Sequence, residues 1–307
     1  MTGVAGFIGS NLASRLLQEG YGVIGIDNLA HGRRENVPAG LDFHRRDIRD
    51  KKIYSLFKDV DTVFHLAAKN CIADCQADPL ETAEINVFGT VNVFEASRRA
   101  GVRKVVYAES SALYEGSTHY PTPEWEVKPK SFYAASKLAS RHFAEAYQRF
   151  HGPGLSFTAL RYFCAYGPAQ DYRRTIPPVI SAFIIKLLKR ERPTIYGTGQ
   201  KRRDFIYIGD INDFHLQCLT DGNTDDRTFN LGSGANFSMV EIYNLLCELL
   251  GTRSEPVFKP DLPGEAQTTL ADISEATKVG WEPRTDIRTG LSRAIEYIKG
   301  EMKDGRI

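Results

Sequence analysis

No stretch of this 307-residue sequence approaches the ~18 consecutive apolar residues of a membrane-spanning helix, and its N-terminus lacks the pattern of a signal peptide. A surplus of charge is absent as well, because 39 basic residues face 38 acidic ones and leave a net charge of +1. Such a balance creates no broad field to collect nucleic acid or an anionic membrane. We therefore expect a cytoplasmic protein with no nucleic-acid or membrane partner, whose anionic ligands are held by local groups.

Cysteine is scarce and odd in number, with five residues at positions 71, 75, 164, 218 and 247. Cys71 and Cys75 form a close pair, but no second pair of Cys or His completes a zinc-site pattern. We predict reduced, structural thiols and no metal centre.

Short apolar runs alternate with longer helical patterns in the first half of the chain. The runs lie at 23–26, 62–66, 104–108 and 156–160, and the main helical patterns lie at 79–100 and 132–150. This alternation predicts an α/β fold with a doubly wound parallel sheet, because right-handed crossovers carry the chain back across the sheet and cover both its faces with helices.

The alternation ends near residue 165, and prolines then separate isolated helical patterns such as 179–190 and 238–250. We expect a smaller, irregular region over 166–307. The strand-like runs 205–208 and 228–231 are expected to return to the main sheet, so that part of 204–247 belongs with residues 1–165.

Glycines open the sequence at GxxGxxG spacing, as Gly3, Gly6 and Gly9 with Phe7 and Ile8 between the last two. Placed before a helix, this loop would aim backbone N–H groups at a pyrophosphate. Asp27 follows 18 residues after Gly9, at the end of an apolar run, where a carboxylate would accept hydrogen bonds from an adenosine ribose. Residues 1–165 are therefore predicted to be an NAD-binding Rossmann domain.

The same region leaves two questions open. Arg33 and Arg34 lie close enough to Asp27 to keep NADP as an alternative, although the carboxylate would repel the extra phosphate. Asp47 and Ile48 stand where the adenine edge would lie, but an Asp at the surface is common.

The first strand that normally precedes such a glycine loop has no room, because Met1 stands two residues before Gly3. That strand lies at the centre of doubly wound sheets. We expect that residues upstream of Met1 are missing; a chain that begins there should lose stability and cofactor affinity.

Tyr133 and Lys137 are four residues apart at the start of a helical pattern, which places both side chains on one helix face. A neighbouring ammonium and a positive nicotinamide ring would favour the phenolate, so the tyrosine is predicted to act as a base. Ser110 and Ser111 directly follow the apolar run 104–108 and would lie at the carboxyl end of the sheet, where ligands bind in such folds.

Taken together, several motifs in register resemble the nucleotide-sugar epimerase/dehydratase family over nearly the whole chain. They are the glycine loop, Asp27-Asn28, His65-Leu66-Ala67-Ala68, Asn86 before Gly89-Thr90, the serine pair, the Tyr133/Lys137 pair, Arg161-Tyr162-Phe163, Tyr166-Gly167-Pro168 and Arg203-Asp204-Phe205.

The resemblance implies a role for each matching residue. Ser110 would be the catalytic hydroxyl, Tyr133 the base, and Lys137 the group that holds the nicotinamide ribose and the charge of the tyrosine. Further cofactor contacts would come from Asn28, Leu66, Ala67, Ala68, Asn86 and Phe163. Read without the family, the apolar members of this set would be ordinary core residues.

The family chemistry removes a proton from the sugar 4-hydroxyl and a hydride from C4, which gives a 4-keto sugar. Dehydratases of the family place an acidic pair right after the catalytic hydroxyl, where this chain has Ser111 and Ala112. A 4-epimerase acting on a UDP-hexose or UDP-N-acetylhexosamine is therefore favoured. The alternatives are a related dehydratase, decarboxylase or reductase, and a non-catalytic dinucleotide-binding module.

At the substrate end, the resemblance assigns Arg203 to the diphosphate and gives Ser110 and Ser111 substrate contacts. Cys164 replaces a family asparagine that contacts the substrate, and Leu262 replaces a second arginine. Arg173, Arg174 and Lys201 are candidates to replace it. Thr269 stands where a bulky residue restricts the sugar's C2 substituent, so a threonine would admit N-acetyl sugars.

The helical patterns 79–100 and 132–150 resemble the pair that forms the dimer interface of relatives. The resemblance therefore implies a homodimer.

Overall fold

The computed structural model describes residues 1–152, 154–174, 176–252, 254–261 and 266–307. Leu262, the position of the replaced arginine, lies outside the described residues. The helices are α1 Phe7–Gln18, α2 Ile72–Ala77, α3 Pro79–Ala83, α4 Thr90–Ala100, α5 Phe132–His151, α6 Val179–Leu188, α7 Ile208–Thr220, α8 Met239–Leu250, α9 Ser274–Lys278 and α10 Ile287–Lys303. The strands are β1 Ile24–Asp27, β2 Asp42–Arg45, β3 Thr62–His65, β4 Lys104–Ser110, β5 Ser156–Tyr162, β6 Cys164–Tyr166, β7 Thr194–Tyr196, β8 Arg202–Arg203, β9 Phe205–Tyr207, β10 Thr228–Leu231, β11 Phe237–Ser238 and β12 Val257–Lys259.

A parallel sheet forms the centre of the protein. Its larger part has the strand order β10-β5-β4-β3, and β1 pairs with β2 beside it. Each of the four apolar runs predicted as strands belongs to this sheet, as β1, β3, β4 and β5. The predicted α/β fold with a parallel sheet and an irregular C-terminal region is confirmed.

The segment from Met1 to Gly3 lies between β1 and β3. Thr2 forms parallel bridges with Ile26 on one side and His65 on the other, so it joins the two parts of the sheet at the central position. Its hydroxyl also lies 2.7 Å from Nδ1 of His65. A short extended segment thus takes the place at which the sequence analysis expected a missing strand.

Buried side chains form a core on each face of the sheet. One includes Leu12 of α1, Phe183 of α6 and Phe214 of α7, and the other includes Phe94 of α4 and Phe157 of β5. The helical pattern 79–100 is divided into α3, a π-helical turn at Glu84–Gly89, and α4. A π-turn of this kind often occurs at a functional site because it rotates side chains out of the regular helical register.

Short two-stranded sheets characterise the second half of the chain: β6 with β9, β7 with β12, and β8 with β11. The prediction that 228–231 returns to the main sheet is confirmed by β10. The same prediction for 205–208 is wrong, because β9 pairs with β6 through residues Cys164 to Tyr166. In the part of the chain that the structure describes, no helix is both long and apolar enough to cross a membrane.

Candidate functional site

The glycine loop between Thr2 and α1 is packed too closely to hold larger residues. Gly3 has a φ of +73°, and a Cβ there would lie 2.6 Å from the backbone nitrogen of Ala67. A Cβ on Gly9 would lie 2.1 Å from the carbonyl oxygen of Gly3. Gly6 precedes α1 without a side-chain cap, so the first turn offers its N–H groups to a ligand. This cradle fits the pyrophosphate of a dinucleotide.

Asp27 ends β1 beside this loop, and its side chain is 9% exposed. One oxygen accepts a hydrogen bond from the Ala5 backbone at 3.0 Å and the other from the Leu29 backbone at 2.8 Å. The carboxylate therefore shapes the loop, and each oxygen retains a lone pair for a ribose hydroxyl.

Next to Asp27, Asn28 donates from Nδ2 to Asp47 at 3.0 Å. Hydrogen bonds from the Arg49 guanidinium, at 2.9 and 2.8 Å, are the main reason that the pKa of Asp47 is lowered to about 2. Asp47 is thus a fixed anion, and the buried Ile48 follows it.

The loop after β3 contains Leu66, Ala67 and Ala68 and is held in place by Asn86 of the π-turn. Asn86 Oδ1 accepts from the Lys69 backbone at 2.8 Å, and its Nδ2 donates to the Lys69 carbonyl at 2.9 Å and to the Ser136 hydroxyl at 2.9 Å. Asn86 is therefore a buried link between this loop and α5, and its side chain does not line the cavity described next.

A first cavity, of about 290 Å³, brings most of the predicted cofactor residues together. Its lining includes Gly3, Gly6, Phe7, Ile8, Gly9, Asp27, Asn28, Asp47, Ile48, Leu66, Ala67 and Ala68. The lining also contains Ala169, Gln170 and Asp171, which sequence reasoning missed, and Arg174, which it had placed at the substrate diphosphate. We call residues 169–174 the strap.

Arg33 also lines the first cavity, but its guanidinium is bound to carboxylates. Nε lies 2.7 Å from Glu35, and Nη1 lies 3.1 Å from Glu301 of α10. Arg34 stacks over the ring of Phe43 at 4.5 Å. Two of the three guanidinium nitrogens of Arg33 are bound to carboxylates, and Asp27 adds a negative charge beside the loop, so the site is suited to NAD rather than NADP.

Ser110, Tyr133 and Lys137 meet at the carboxyl end of β4. Lys137 donates from Nζ to the carbonyl of Ala108 at 2.9 Å, two residues before Ser110 on the same strand. Ser110 Oγ accepts from the Ala112 backbone at 3.1 Å. A hydrogen bond to Ser110 lowers the pKa of Tyr133, although burial raises it more.

Among the protein's own groups, burial has the largest effect on the ionisation of Tyr133, and the effect of a nicotinamide ring stays a prediction. Burial outweighs the opposing effects of Ser110 and Arg174, so the pKa of Tyr133 is raised and the phenol is protonated at neutral pH. Burial also lowers the pKa of Lys137 to about 8, against the opposing charge of Glu109. Spacing along a helix shows which side chains share a face, but it does not show how deeply they are buried.

A second cavity, of about 350 Å³, lies at Ser110 and Tyr133, and Lys137 is outside its lining. Its lining includes the five residues that the resemblance places at the substrate, and also Tyr133 and Phe163: Ser110, Ser111, Tyr133, Phe163, Cys164, Arg203 and Thr269. Sequence reasoning missed Glu115 in this wall. Its carboxylate accepts from the Ser131 backbone and hydroxyl, both at 2.7 Å, and so anchors the N-terminus of α5, which carries Tyr133.

A third cavity, of about 530 Å³, connects the other two. It shares Gln170 and Arg174 with the first cavity, and Cys71, Cys164 and Arg203 with the second. Arg174, Lys186, Lys201 and Arg203 line it, and no acidic side chain is among its described lining residues. Such a wall favours an anionic ligand.

Asp204, which follows Arg203, has a buried carboxylate that fixes the backbone around it. It accepts from the backbone N–H groups of Ser233 at 2.6 Å, Gly234 at 3.2 Å and Ala271 at 3.0 Å. The Asp204 backbone in turn donates to the Thr269 hydroxyl at 3.1 Å. Burial raises the pKa of Asp204.

Behind Ser110, a buried ion pair joins β4 to β5. Glu109 and Arg161 are both fully buried, and Oε2 lies 2.6 Å from Nε. The guanidinium also donates to the Tyr114 hydroxyl at 2.8 Å, which donates to Asn230 of β10 at 2.6 Å. Arg161 is visible as a motif residue, but its partners are not.

The described residues contain no group of three or more His, Cys, Asp and Glu placed to hold a metal ion. None of the five cysteines is in a disulfide.

Comparison with known proteins places these features in context. The model of the NAD dependent epimerase/dehydratase family matches residues 1–232. The chain is 33% identical over 313 residues to the UDP-glucose 4-epimerase of Mycolicibacterium smegmatis, with 99% of both chains covered. Among solved structures, the UDP-glucose 4-epimerase of Thermotoga maritima with UDP-glucose has a TM-score of 0.94 and 33% identity, with 98% of both chains covered. The UDP-glucose 4-epimerase of Thermus thermophilus in complex with NAD has a TM-score of 0.89 and 32% identity, over 97% of this chain and 98% of that one.

Proposed function

Since this chain belongs to the NAD dependent epimerase/dehydratase family, we propose that it is an NAD-dependent nucleotide-sugar 4-epimerase acting on a UDP-hexose or UDP-N-acetylhexosamine. The observation that carries the proposal is that Ser110 and Tyr133 share the second cavity, while Lys137, one turn from Tyr133 on α5, is held by the carbonyl of Ala108 at the same end of β4. The first cavity, with its glycine-loop cradle, and the third cavity, with its cationic lining, lie next to the second cavity.

In this mechanism NAD+ supplies a reversible hydride acceptor when it is bound. The glycine loop and the N-terminus of α1 would hold its pyrophosphate, and Asp27 its adenosine ribose. Lys137, held by the Ala108 carbonyl, would orient the nicotinamide ribose.

Tyr133 removes the proton from the sugar 4-hydroxyl, and Ser110 passes or positions that proton through its hydrogen bond to the phenol. A buried phenol needs nearby positive charge to ionise. Lys137 supplies it from one turn further along α5, and Arg174 already lowers the pKa of Tyr133. Added positive charge in the first cavity on cofactor binding would extend this effect.

The wall of the second cavity favours epimerisation over dehydration. Dehydration needs carboxyl groups free to move protons at C5 and C6, but Ser111 and Ala112 follow Ser110. Among the described residues of this wall, the one carboxylate is that of Glu115, and it is bound to the N-terminus of α5. Without a carboxyl group free to move protons at C5 and C6, the site favours reduction of a 4-keto hexose on either face over loss of water.

The sugar would occupy the second cavity, and the diphosphate would extend past Arg203 into the third, because Arg203 lines both. A planar guanidinium suits bidentate binding of phosphate. Thr269, a small residue, leaves space for a C2 N-acetyl group. The variant Thr269→Tyr should lose turnover of UDP-GlcNAc while keeping that of UDP-glucose, and equal loss of both would refute this specificity.

We keep the division into two regions as part of the proposal. Residues 1–165 would hold the cofactor, together with the part of 204–247 that contains β10. Residues 166–307 would mainly hold the substrate, with the strap contributing to both.

The protein is proposed to be a cytoplasmic homodimer. Cysteines that form no disulfide suit a reducing compartment. Exposed apolar side chains are concentrated on the two predicted interface segments, where Leu80 and Phe150 are 80% and 76% exposed and Phe88, Phe132 and Phe143 are also exposed. Light scattering should give twice the 34.4 kDa mass of one chain. A monomeric mass would refute the dimer, and Leu80→Asp should reduce the dimer fraction.

The function is tested by purifying the protein, assaying it for bound NAD, and following a panel of UDP-, dTDP- and GDP-sugars by NMR. Inversion at C4 with unchanged mass of a UDP-sugar is the expected result. A product that has lost water or carbon dioxide would replace the epimerase with one of its relatives, and no turnover of any sugar would contradict an enzymatic role.

A further inference from the structure

Arg174 stands at the wall between the first and third cavities. Gln170 shares this wall but is fully engaged, since its amide nitrogen donates to Ala165 at 2.8 Å and its oxygen accepts from Ser181 at 2.9 Å. Arg174, by contrast, is bound through Nε to Asp171 at 3.0 Å, three residues away in the same strap. Its side chain is 28% exposed, so water can reach the guanidinium when the contact with Asp171 is exchanged for another.

The strap itself is anchored on both sides. Gln170 ties it to β6 and α6, and the Tyr172 hydroxyl donates to Glu301 of α10 at 2.8 Å and accepts from Arg33 at 3.2 Å. A side chain that follows two such anchors has a defined position even before a ligand binds. Arg174 is therefore positioned by the fold rather than by a flexible loop.

The other cations of the third cavity have different surroundings. Lys186 pairs with Glu191, and Lys201 pairs with Asp261 at 2.8 Å. Both carboxylates lie outside the lining of the cavity. Arg203 lines the cavity where it joins the second one, and Arg174 lines it where it joins the first, so the two guanidiniums mark its two junctions.

We propose that Arg174 is a substrate-binding residue that, together with Arg203, holds the diphosphate of the nucleotide-linked substrate, exchanging the carboxylate of Asp171 for phosphate oxygens. This inference rests on the proposed function, because it takes a nucleoside diphosphate as the occupant of the third cavity. Arg174 keeps an anionic partner throughout this exchange, because phosphate oxygens take the place of the Asp171 carboxylate.

The same arginine would connect substrate binding to the reacting groups. Its charge already acts on Tyr133 across the cleft. A phosphate bound by Arg174 would therefore place the sugar end of the substrate toward the second cavity and Tyr133, whereas a phosphate bound by Lys186 or Lys201 alone would not.

The test compares Arg174→Gln with Arg173→Gln. Arg173 is the adjacent residue and pairs with Glu35 at 3.8 Å, but it lines none of the three cavities, so it is a matched control for charge and position. Titration calorimetry with UDP and with uridine measures binding without turnover, and steady-state kinetics with UDP-glucose separates KM from kcat.

For Arg174→Gln we expect UDP to bind about tenfold to a hundredfold more weakly, because one charge-assisted contact is lost. Uridine binding and the content of bound NAD should not change, and KM should rise more than kcat falls. Asp171→Asn should tighten UDP binding, because the competing carboxylate is removed; a structural role for this pair would instead weaken it.

Equal UDP affinity in Arg174→Gln and wild type would overturn the inference. So would loss of NAD from Arg174→Gln with unchanged UDP binding, which would assign the residue to the cofactor. Failure of the proposed function would give a different result. The wild type would then bind UDP, and this binding would depend on Arg174, but the protein would invert no sugar at C4.

Discussion

The buried pair of Glu109 and Arg161 offers the strongest single perturbation, Glu109→Gln. This change keeps the shape of the side chain but removes the charge that lies 2.6 Å from the guanidinium. Arg161 then stays buried with a full positive charge, and among the described residues no acceptor lies within reach of its Nη2 even in the wild type. Breaking a buried pair in this way costs about 3 to 5 kcal/mol.

A loss of this size is a large part of a total stability of about 5 to 15 kcal/mol. With an m-value of about 3 kcal/mol/M, the urea midpoint should fall by about 1 M or more. The fluorescence of the buried Trp281 reports the transition. Because Ser110 directly follows Glu109 on β4, turnover should fall as well.

Two control variants test whether burial of the pair causes the loss of stability. The pair of Arg288 and Glu248 has a similar 2.7 Å separation but is about half exposed, so Glu248→Gln should leave the midpoint unchanged. The double variant Glu109→Gln/Arg161→Met removes both charges and should recover part of the loss. A midpoint for Glu109→Gln equal to that of the surface control would refute the account of this pair.

Further predictions concern the cofactor region. Lys137 has a folded pKa of about 8 against 10.5 unfolded, so its ammonium destabilises the fold below pH 8 and this penalty is relieved as the pH rises toward 10.5. Relative to Lys137→Met, the free energy of unfolding of the wild type should rise by about 2 kcal/mol between about pH 7 and about pH 9.5. A free energy that does not rise over this range would contradict the burial of the charge. Glu301→Gln weakens the anchor of the strap, so bound NAD should leave about tenfold faster in a dilution assay; an unchanged rate would show that the strap does not retain the cofactor. In Gly9→Ala the new Cβ would lie 2.1 Å from the carbonyl oxygen of Gly3, so NAD affinity should fall about tenfold or more. The control Gly300→Ala adds a Cβ in open space on α10 and should leave NAD affinity unchanged.

Local sequence patterns predicted the parts of the protein that depend on short segments. The four apolar runs became strands of the main sheet because strand formation follows hydrophobic patterning, and Ser110 met Tyr133 because both lie at the carboxyl end of parallel strands. The pairing of β9 was predicted wrongly, since three apolar residues do not encode which strand they join.

Contacts between distant segments were missed for a different reason. Arg33 and Glu301 are 268 residues apart, and no motif marks either of them. The raised pKa of Tyr133 also depends on burial by several elements rather than on the spacing to Lys137. Arg174 was one of three candidates in the sequence, and only the shared wall of two cavities separates it from Arg173.

The most direct measurement is the rate of C4 inversion of a UDP-sugar by Tyr133→Phe, compared with Tyr147→Phe on the same helix. The Tyr147 hydroxyl donates to Glu95 at 3.2 Å, away from the three cavities, so its removal controls for the loss of a phenol from α5. We predict that Tyr133→Phe keeps its fold and its bound NAD and loses about a hundredfold or more in rate, while Tyr147→Phe keeps the rate of the wild type. Inversion by Tyr133→Phe at the wild-type rate would contradict the account.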